Sequence, residues 1–180
     1  MLRVRDGDVE ILGALYERHR TRLFNLFLRL TGNPQSSEDL VQDVFLRMLK
    51  YRHTFIAGNP FSPWIFKMAR NAHYDFRHKR RHELPQDVET PGDGQDFPSP
   101  AATPDTQVSQ DQDVQLLQEA LAGLAVESRE ALILSRFQGL KYEEIASVLN
   151  CGVGAVKMRV HRALKELRAR FTILAGKEPR

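Results

Sequence analysis

The sequence predicts an all-α protein: two small helical domains joined by a flexible acidic linker. Three observations predict this class. Apolar residues recur at three- and four-residue intervals along most of the chain, with almost no strand-like alternation. A stretch rich in Pro, Gly, Asp and Gln interrupts that pattern and holds too few apolar residues to offset its own ordering. The charge is also divided in three: residues 1–82 carry 15 basic and 8 acidic side chains, 83–128 carry 10 acidic and none basic, and 129–180 carry 11 basic and 5 acidic. The expected units are therefore 1–83, a linker over 84–112, and 113–180. Each unit is small for independent stability, so docking onto something larger is expected.

Leu12, Leu15, Tyr16, His19, Leu23, Leu26, Phe27 and Leu30 line one stripe of the first helix, which Gly32-Asn33-Pro34 ends. Ser36 with Asp39 three residues on resembles a capping box that opens the second helix. There, at about 100° per residue, Leu40, Val41, Val44, Phe45, Met48 and Leu49 form a core face, while Asp39, Gln42, Asp43, Arg47 and Lys50 form the other. Leu46 falls in the middle of that polar half. A single exposed leucine is common, but one ringed by Asp39, Gln42 and Asp43 also suits the apolar centre of a docking surface. Ser62 and Pro63 suit the N-cap and first turn of a third helix, with Trp64 in the core at its entrance. Its buried stripe is Ile65, Met68, Ala69, Ala72 and Phe76. Opposite lie Lys67, Arg70, Asn71, Tyr74, Arg77, His78 and Arg81, basic groups interleaved with a ring and an amide, which suit a nucleic-acid backbone and an unstacked base. His78 and His82 have the spacing of a metal pair but bracket Lys-Arg-Arg, with no third ligand following, so no metal is expected.

After the linker, helices are expected near 112–124, 127–138, 141–149 and 153–172. The last two, around Tyr142-Glu-Glu-Ile-Ala-Ser-Val-Leu-Asn150, read as helix, tight turn, helix. Ile145, Ala146 and Leu149 face inward, Asn150 suits the left-handed turn, and Cys151 plugs the space behind it. In the final helix Val156, Val160, Ala163, Leu164 and Leu167 point inward. Ala155, Met158, Arg159 and Arg162 share the outer face, flanked by Lys157, His161 and Lys165. Helix-turn-helix proteins present such a face to the major groove, where Arg grips guanine and Lys holds phosphate. An ordinary helical hairpin with a solvated basic side would carry the same charges.

The bulk numbers narrow the class. No run approaches the roughly 18 apolar residues of a membrane span, and Met1-Leu-Arg-Val-Arg-Asp-Gly-Asp8 lacks the apolar block of a signal peptide. One cysteine, Cys151, excludes an internal disulfide and fits a reducing cytosol. No Gly-rich phosphate loop, nucleophile motif or clustered acid pair is present, so neither an enzyme nor a cofactor is expected.

Leu15-Tyr-Glu-Arg-His-Arg-Thr-Arg-Leu-Phe24, then Ser37-Glu-Asp-Leu-Val-Gln-Asp-Val-Phe-Leu-Arg47, then Pro63-Trp-Ile-Phe-Lys-Met-Ala-Arg-Asn71, an acidic linker and the terminal helix-turn-helix resemble the extracytoplasmic-function class of bacterial sigma factors. The blocks are collinear over nearly the whole chain. The resemblance implies sigma domain 2 at 1–83 and sigma domain 4 at 113–180. It implies docking of Asp39, Gln42, Asp43 and Leu46 on the β′ clamp helices of core RNA polymerase, with further contact to the β subunit. The third helix and its preceding loop would hold the −10 element, with Asn71 receiving a flipped base. Arg159, Arg162 and Lys157 would meet the −35 element, and the linker would follow the RNA exit path. An anti-sigma partner is common in the family. Gly152 and Ala155 stand where the family often has Ser or Thr, so no hydroxyl is available there. The alternative is a stand-alone helix-turn-helix regulator, which would leave Leu46 and the third helix without a role.

Overall fold

The structure, a computed structural model, describes residues 1–83 and 108–176. Its elements are α1 (Leu2–Arg5), α2 (Leu12–Thr31), α3 (Pro34–Lys50), α4 (Phe61–Glu83), α5 (Val108–Ala122), α6 (Val126–Arg136), α7 (Tyr142–Leu149) and α8 (Val153–Leu174), with 3₁₀ turns at Val9–Ile11 and Arg52–Thr54. Among the described residues all regular structure is helical, as the periodicity predicts. Most of the linker expected over 84–112 lies outside the described residues; α5 begins at Val108, inside its C-terminal end.

In the first unit α2, α3 and α4 pack around Leu23, Phe27, Val44, Met48, Ile65 and Ala69, all essentially without solvent contact. Local chemistry sets the boundaries. Gly32 adopts φ +67°, the left-handed conformation open to a residue without Cβ, and returns its N–H to Leu28 O. Asn33 is extended, and its Oδ1 accepts the Ser36 N–H at 2.9 Å, so Asn33 and not Ser36 caps α3. The reason is Pro34: its fixed φ suits the first helical position, which puts the cap at Asn33 immediately before it. Ser37 is buried instead, donating to Asn33 O at 2.7 Å and sharing a 3.1 Å hydroxyl contact with Thr31. Helix α4 starts at Phe61, so Ser62 lies in its first turn and is not its cap. Trp64 is half-buried at this entrance, edge-on to Phe55 at 5.2 Å and donating from Nε1 to Thr54 Oγ1 at 3.3 Å.

In the second unit α6, α7 and α8 enclose Leu132, Ile133, Ile145, Val148, Val156 and Ala163. Glu144 Oε2 accepts the Lys141 N–H at 2.8 Å at the start of α7. Asn150 ends α7 at φ 51°, the left-handed turn residue the sequence predicts. Gly152 precedes α8 in extended form with no side-chain cap. Leu164 departs from expectation: it sits at the edge of the inner stripe and is left exposed, while Ala163 takes the buried position.

The two units are packed together, and their buried residues form one continuous apolar cluster. Helix α2 lies against α5 and α6, and α4 against α7. Gln118 Nε2 donates to Leu28 O at 2.8 Å, the Arg29 guanidinium lies 4.3 Å over the Phe137 ring, and Arg70 Nε donates to Glu130 Oε2 at 3.0 Å. Helix α4 therefore has a second buried stripe, Phe66 and His73, beyond the one that faces α2 and α3.

Candidate docking and nucleic-acid interfaces

Three surfaces collect the residues singled out in the sequence. On α3, Leu46 is 68% exposed, in contrast to the fully buried Val44 and Met48 that share its helix. Asp39 and Gln42 are exposed beside it and Asp43 is half-buried. Asp43 is drawn into a bridge: Arg47 Nε meets Asp43 Oδ2 at 2.9 Å, and Arg47 Nη1 meets Asp75 Oδ2 of α4 at 2.7 Å. This bridge fixes the acidic side of the surface against α4. Asp39, Asp43, Arg47, Asp75 and Lys79 line a groove of about 240 Å³ between the two helices. Asp75 was not foreseen, because the periodicity of one helix says nothing about which residue of the next helix reaches it.

On α4, Lys67, Asn71, Tyr74, His78 and Arg81 are exposed along one strip. The Tyr74 and His78 rings lie 4.3 Å apart and tilted by 49°, so two aromatic rings sit among the basic groups. Arg70 and Arg77 belong to the same predicted set, yet they are half-buried at the edge facing the second unit. Phe66, Arg70, His73 and Arg77 follow at intervals of four, three and four residues, which places them on one side of a helix. The sequence signal for this side is faint, since Phe66 is the only apolar member.

The polar groups buried against that side are unusual. His73 is 2% exposed, Arg129 3% and Glu130 7%. Burial, followed by the charges of Arg129, Arg77 and Arg70, holds the His73 imidazole down near 3 from 6.5, so it is neutral. Burial and Arg77 lower Arg129 to about 10, opposed by Glu130. Burial also pushes the Glu130 carboxyl up, against the pull of Arg70. A buried charge needs a partner, and the Arg70–Glu130 pair supplies it across the two units.

On α8, Ala155, Lys157, Met158, His161, Arg162 and Lys165 are exposed and form one outer face. Arg159 is half-buried, because its Nη1 reaches back 3.6 Å to Cys151 Sγ in the turn. Val156, Val160 and Ala163 hold the opposite side in the core. No helix among the described residues is long and apolar enough to cross a membrane.

Comparison with known proteins identifies the family of the chain. The family model for Sigma-70 region 2 matches residues 15–83, and the model for Sigma-70, region 4 matches residues 114–167. The chain is 34% identical over 172 residues to the RNA polymerase sigma factor CarQ of Myxococcus xanthus, covering 93% of both chains. It is 34% identical over 165 residues to the ECF RNA polymerase sigma factor SigL of Mycobacterium tuberculosis, covering 90% of this chain and 89% of that one. Among solved structures, the sigma factor RpoE of Bartonella quintana, in complex with the anti-sigma factor NepR, superimposes with a TM-score of 0.71 and 30% identity over 93% of this chain and 98% of that one. With two region matches in the right order and relatives of this similarity along nearly its full length, the chain belongs to the ECF family of RNA polymerase sigma factors.

Proposed function

We propose that this sigma factor divides its work among the three surfaces. The outer face of α3 binds the β′ clamp helices of core RNA polymerase, with Leu46 as apolar anchor and Asp39, Gln42 and Asp43 around it. The second unit adds a contact to the β subunit. The α4 strip takes the −10 element, with Asn71 and Tyr74 accommodating a separated base. The outer face of α8 reads the −35 element, with Arg159 and Arg162 on base edges and Lys157 and Lys165 on phosphates. The region between the units acts as a tether, so two weak DNA contacts reinforce each other through effective concentration. Strand opening is driven by a base gaining stacking and a pocket, which offsets unpairing of a few kcal/mol in order of magnitude. The factor performs no catalytic step of its own and acts in the cytoplasm. An anti-sigma factor holds it inactive, as the relation to the NepR-bound protein suggests.

Leu46 carries this reading. A leucine 68% exposed within a ring of polar groups lies outside the core, and it has the character of an interface hot spot. The test is run-off transcription with purified core polymerase and promoter DNA, using the wild type and Leu46→Asp. The wild type initiates at defined start sites. Leu46→Asp keeps its helical content by circular dichroism yet fails to co-purify with core polymerase and yields no transcript. Unchanged polymerase affinity in that variant removes the assignment.

A further inference from the structure

Two buried apolar side chains of the first unit, Val4 and Phe55, stand outside the continuous core. Val4 is fully shielded from solvent and Phe55 nearly so. Small separate clusters of this kind pack beneath long loops, and the loop here is the one that leads from α3 into α4. Helix α1 lies against both 3₁₀ turns, Val9–Ile11 and Arg52–Thr54, so Val4 is covered where residues 1–11 meet the start of that loop. The segment is folded on itself: the Asp8 N–H donates to Arg3 O at 2.9 Å, and Arg3 Nη2 meets Asp8 Oδ2 at 2.6 Å.

Helix α4 grips the same turn from its own side. Phe55 is edge-on to Trp64 at 5.2 Å and to Phe61 at 6.2 Å. Thr54 Oγ1 accepts from Trp64 Nε1 at 3.3 Å and donates to Tyr51 O at 2.8 Å. Beyond this base the chain from Ile56 to Pro60 is exposed, with Ile56 at 65%. It is still an ordered turn: Gly58 takes φ +87°, and the Asn59 N–H returns to Ile56 O at 3.2 Å. The loop stands immediately ahead of α4, whose exposed strip begins at Lys67. A group that receives a separated base does so at little cost only if it is already ordered, because ordering it at that moment subtracts from the gain in stacking. Val4 supports that order from outside the core, so cutting it back loosens the base of the loop and leaves Leu23, Phe27 and Val44 packed.

We infer that Val4 is a positioning residue for strand opening: with residues 1–11 it fixes the base of the loop, so that Ile56, Asn59 and their neighbours stand ready for the separated strand beside α4. The inference rests on the reading of α4 and its preceding loop as the part that holds the −10 element. It adds a requirement for a segment that lies outside all three surfaces.

Core polymerase reconstituted with the full chain is given a promoter that carries 2-aminopurine in the non-template strand of its −10 element, where fluorescence reports opening. Val4→Ser binds core polymerase as tightly as the wild type, keeps its helical content and opens the duplex about tenfold less, in keeping with the cost of misplacing a positioning group. On the same promoter with a pre-opened −10 bubble its run-off transcription returns close to the wild-type level. Val4→Ile is active on both templates, and Val4→Ala, a smaller cut than Val4→Ser, falls between. Duplex opening by Val4→Ser at the wild-type level overturns the inference. So does a loss of equal size on duplex and bubble, which marks a general loss of structure. If Ile56→Ser and Asn59→Ala open the duplex normally, the loop does not hold DNA, and the underlying reading fails and takes this inference with it. If those two variants fail on the duplex while Val4→Ser does not, only the role of Val4 is wrong.

Discussion

Arg22 and Gln138, 116 residues apart, are bonded to each other in both directions: each side chain donates to the other's backbone carbonyl, at 2.7 and 3.2 Å. The Arg22 guanidinium also lies 5.5 Å from the centre of the Phe66 ring on α4. One residue of α2 thus ties the turn after α6 to the face of α4 where the two units meet.

Gln138→Ala removes one of these bonds and leaves the Arg22 carbonyl without its side-chain donor. Gln138 is itself buried, but the carbonyl that loses its donor belongs to the exposed Arg22, so the cost is that of one net hydrogen bond, about 0.5–1.5 kcal/mol. Urea unfolding of the full chain should show a loss of that size with unchanged helical content. A shift within error would mean that the pair is solvent-compensated.

Arg162→Ala should weaken recognition of the −35 element by about 1–3 kcal/mol, the worth of one good base-edge contact. The side chain is exposed, so stability should hold. The measurement is holoenzyme affinity for the promoter and for copies with single −35 substitutions. Specificity should relax at one position only.

Lys157→Ala should act differently. An exposed Lys that meets phosphate weakens binding alike for all sequences and reduces the salt slope by about one. Holoenzyme affinity measured across a salt series gives that slope. A flat dependence in the parent protein would contradict the two basic faces on α4 and α8.

His73 predicts a pH effect on the packed state. Its folded value is about 3 against 6.5 for the free side chain. The unfolded chain therefore gains a proton that the folded chain refuses. Stability is full above 6.5 and falls as pH drops below it, by about 1.4 kcal/mol at one unit below. The raised Glu130 carboxyl acts in the opposite sense, because the folded chain takes up its proton earlier than the unfolded chain. Comparing the wild type with His73→Asn at pH 7.5 and 5.5 cancels Glu130 and isolates the histidine. The wild type should lose about 1.4 kcal/mol more than the variant over that interval.

Most of the architecture was legible because each helix announces one buried stripe and its own stops. The exposure of Leu46 followed from its angle on α3, and the left-handed Asn150 from its place between two periodic runs. The cap of α3 was misassigned because two short patterns compete there, Asn33-Pro34 and Ser36…Asp39, and only the fixed φ of proline decides between them. The second stripe of α4 was not legible at all. Its partners, Glu130 and Arg129, lie some 60 residues on, and three of its four members are Arg or His, types that periodicity assigns to solvent. On the candidate surfaces, periodicity places the exposed residues of α8 but not the half-buried Arg159 or the exposed Leu164, and Arg70 and Arg77 sit on a boundary between two faces.

Because α4 answers to two neighbours, one within its own bundle and one contributed by the other half of the polypeptide, the halves of this protein are fitted to each other as well as to promoter and enzyme. A hybrid that joins residues 1–83 to the tail of a paralogue would bring a mismatched surface to Phe66 and His73. Such a chimaera could initiate faithfully once assembled on polymerase and still be a sticky, short-lived polypeptide while waiting for it.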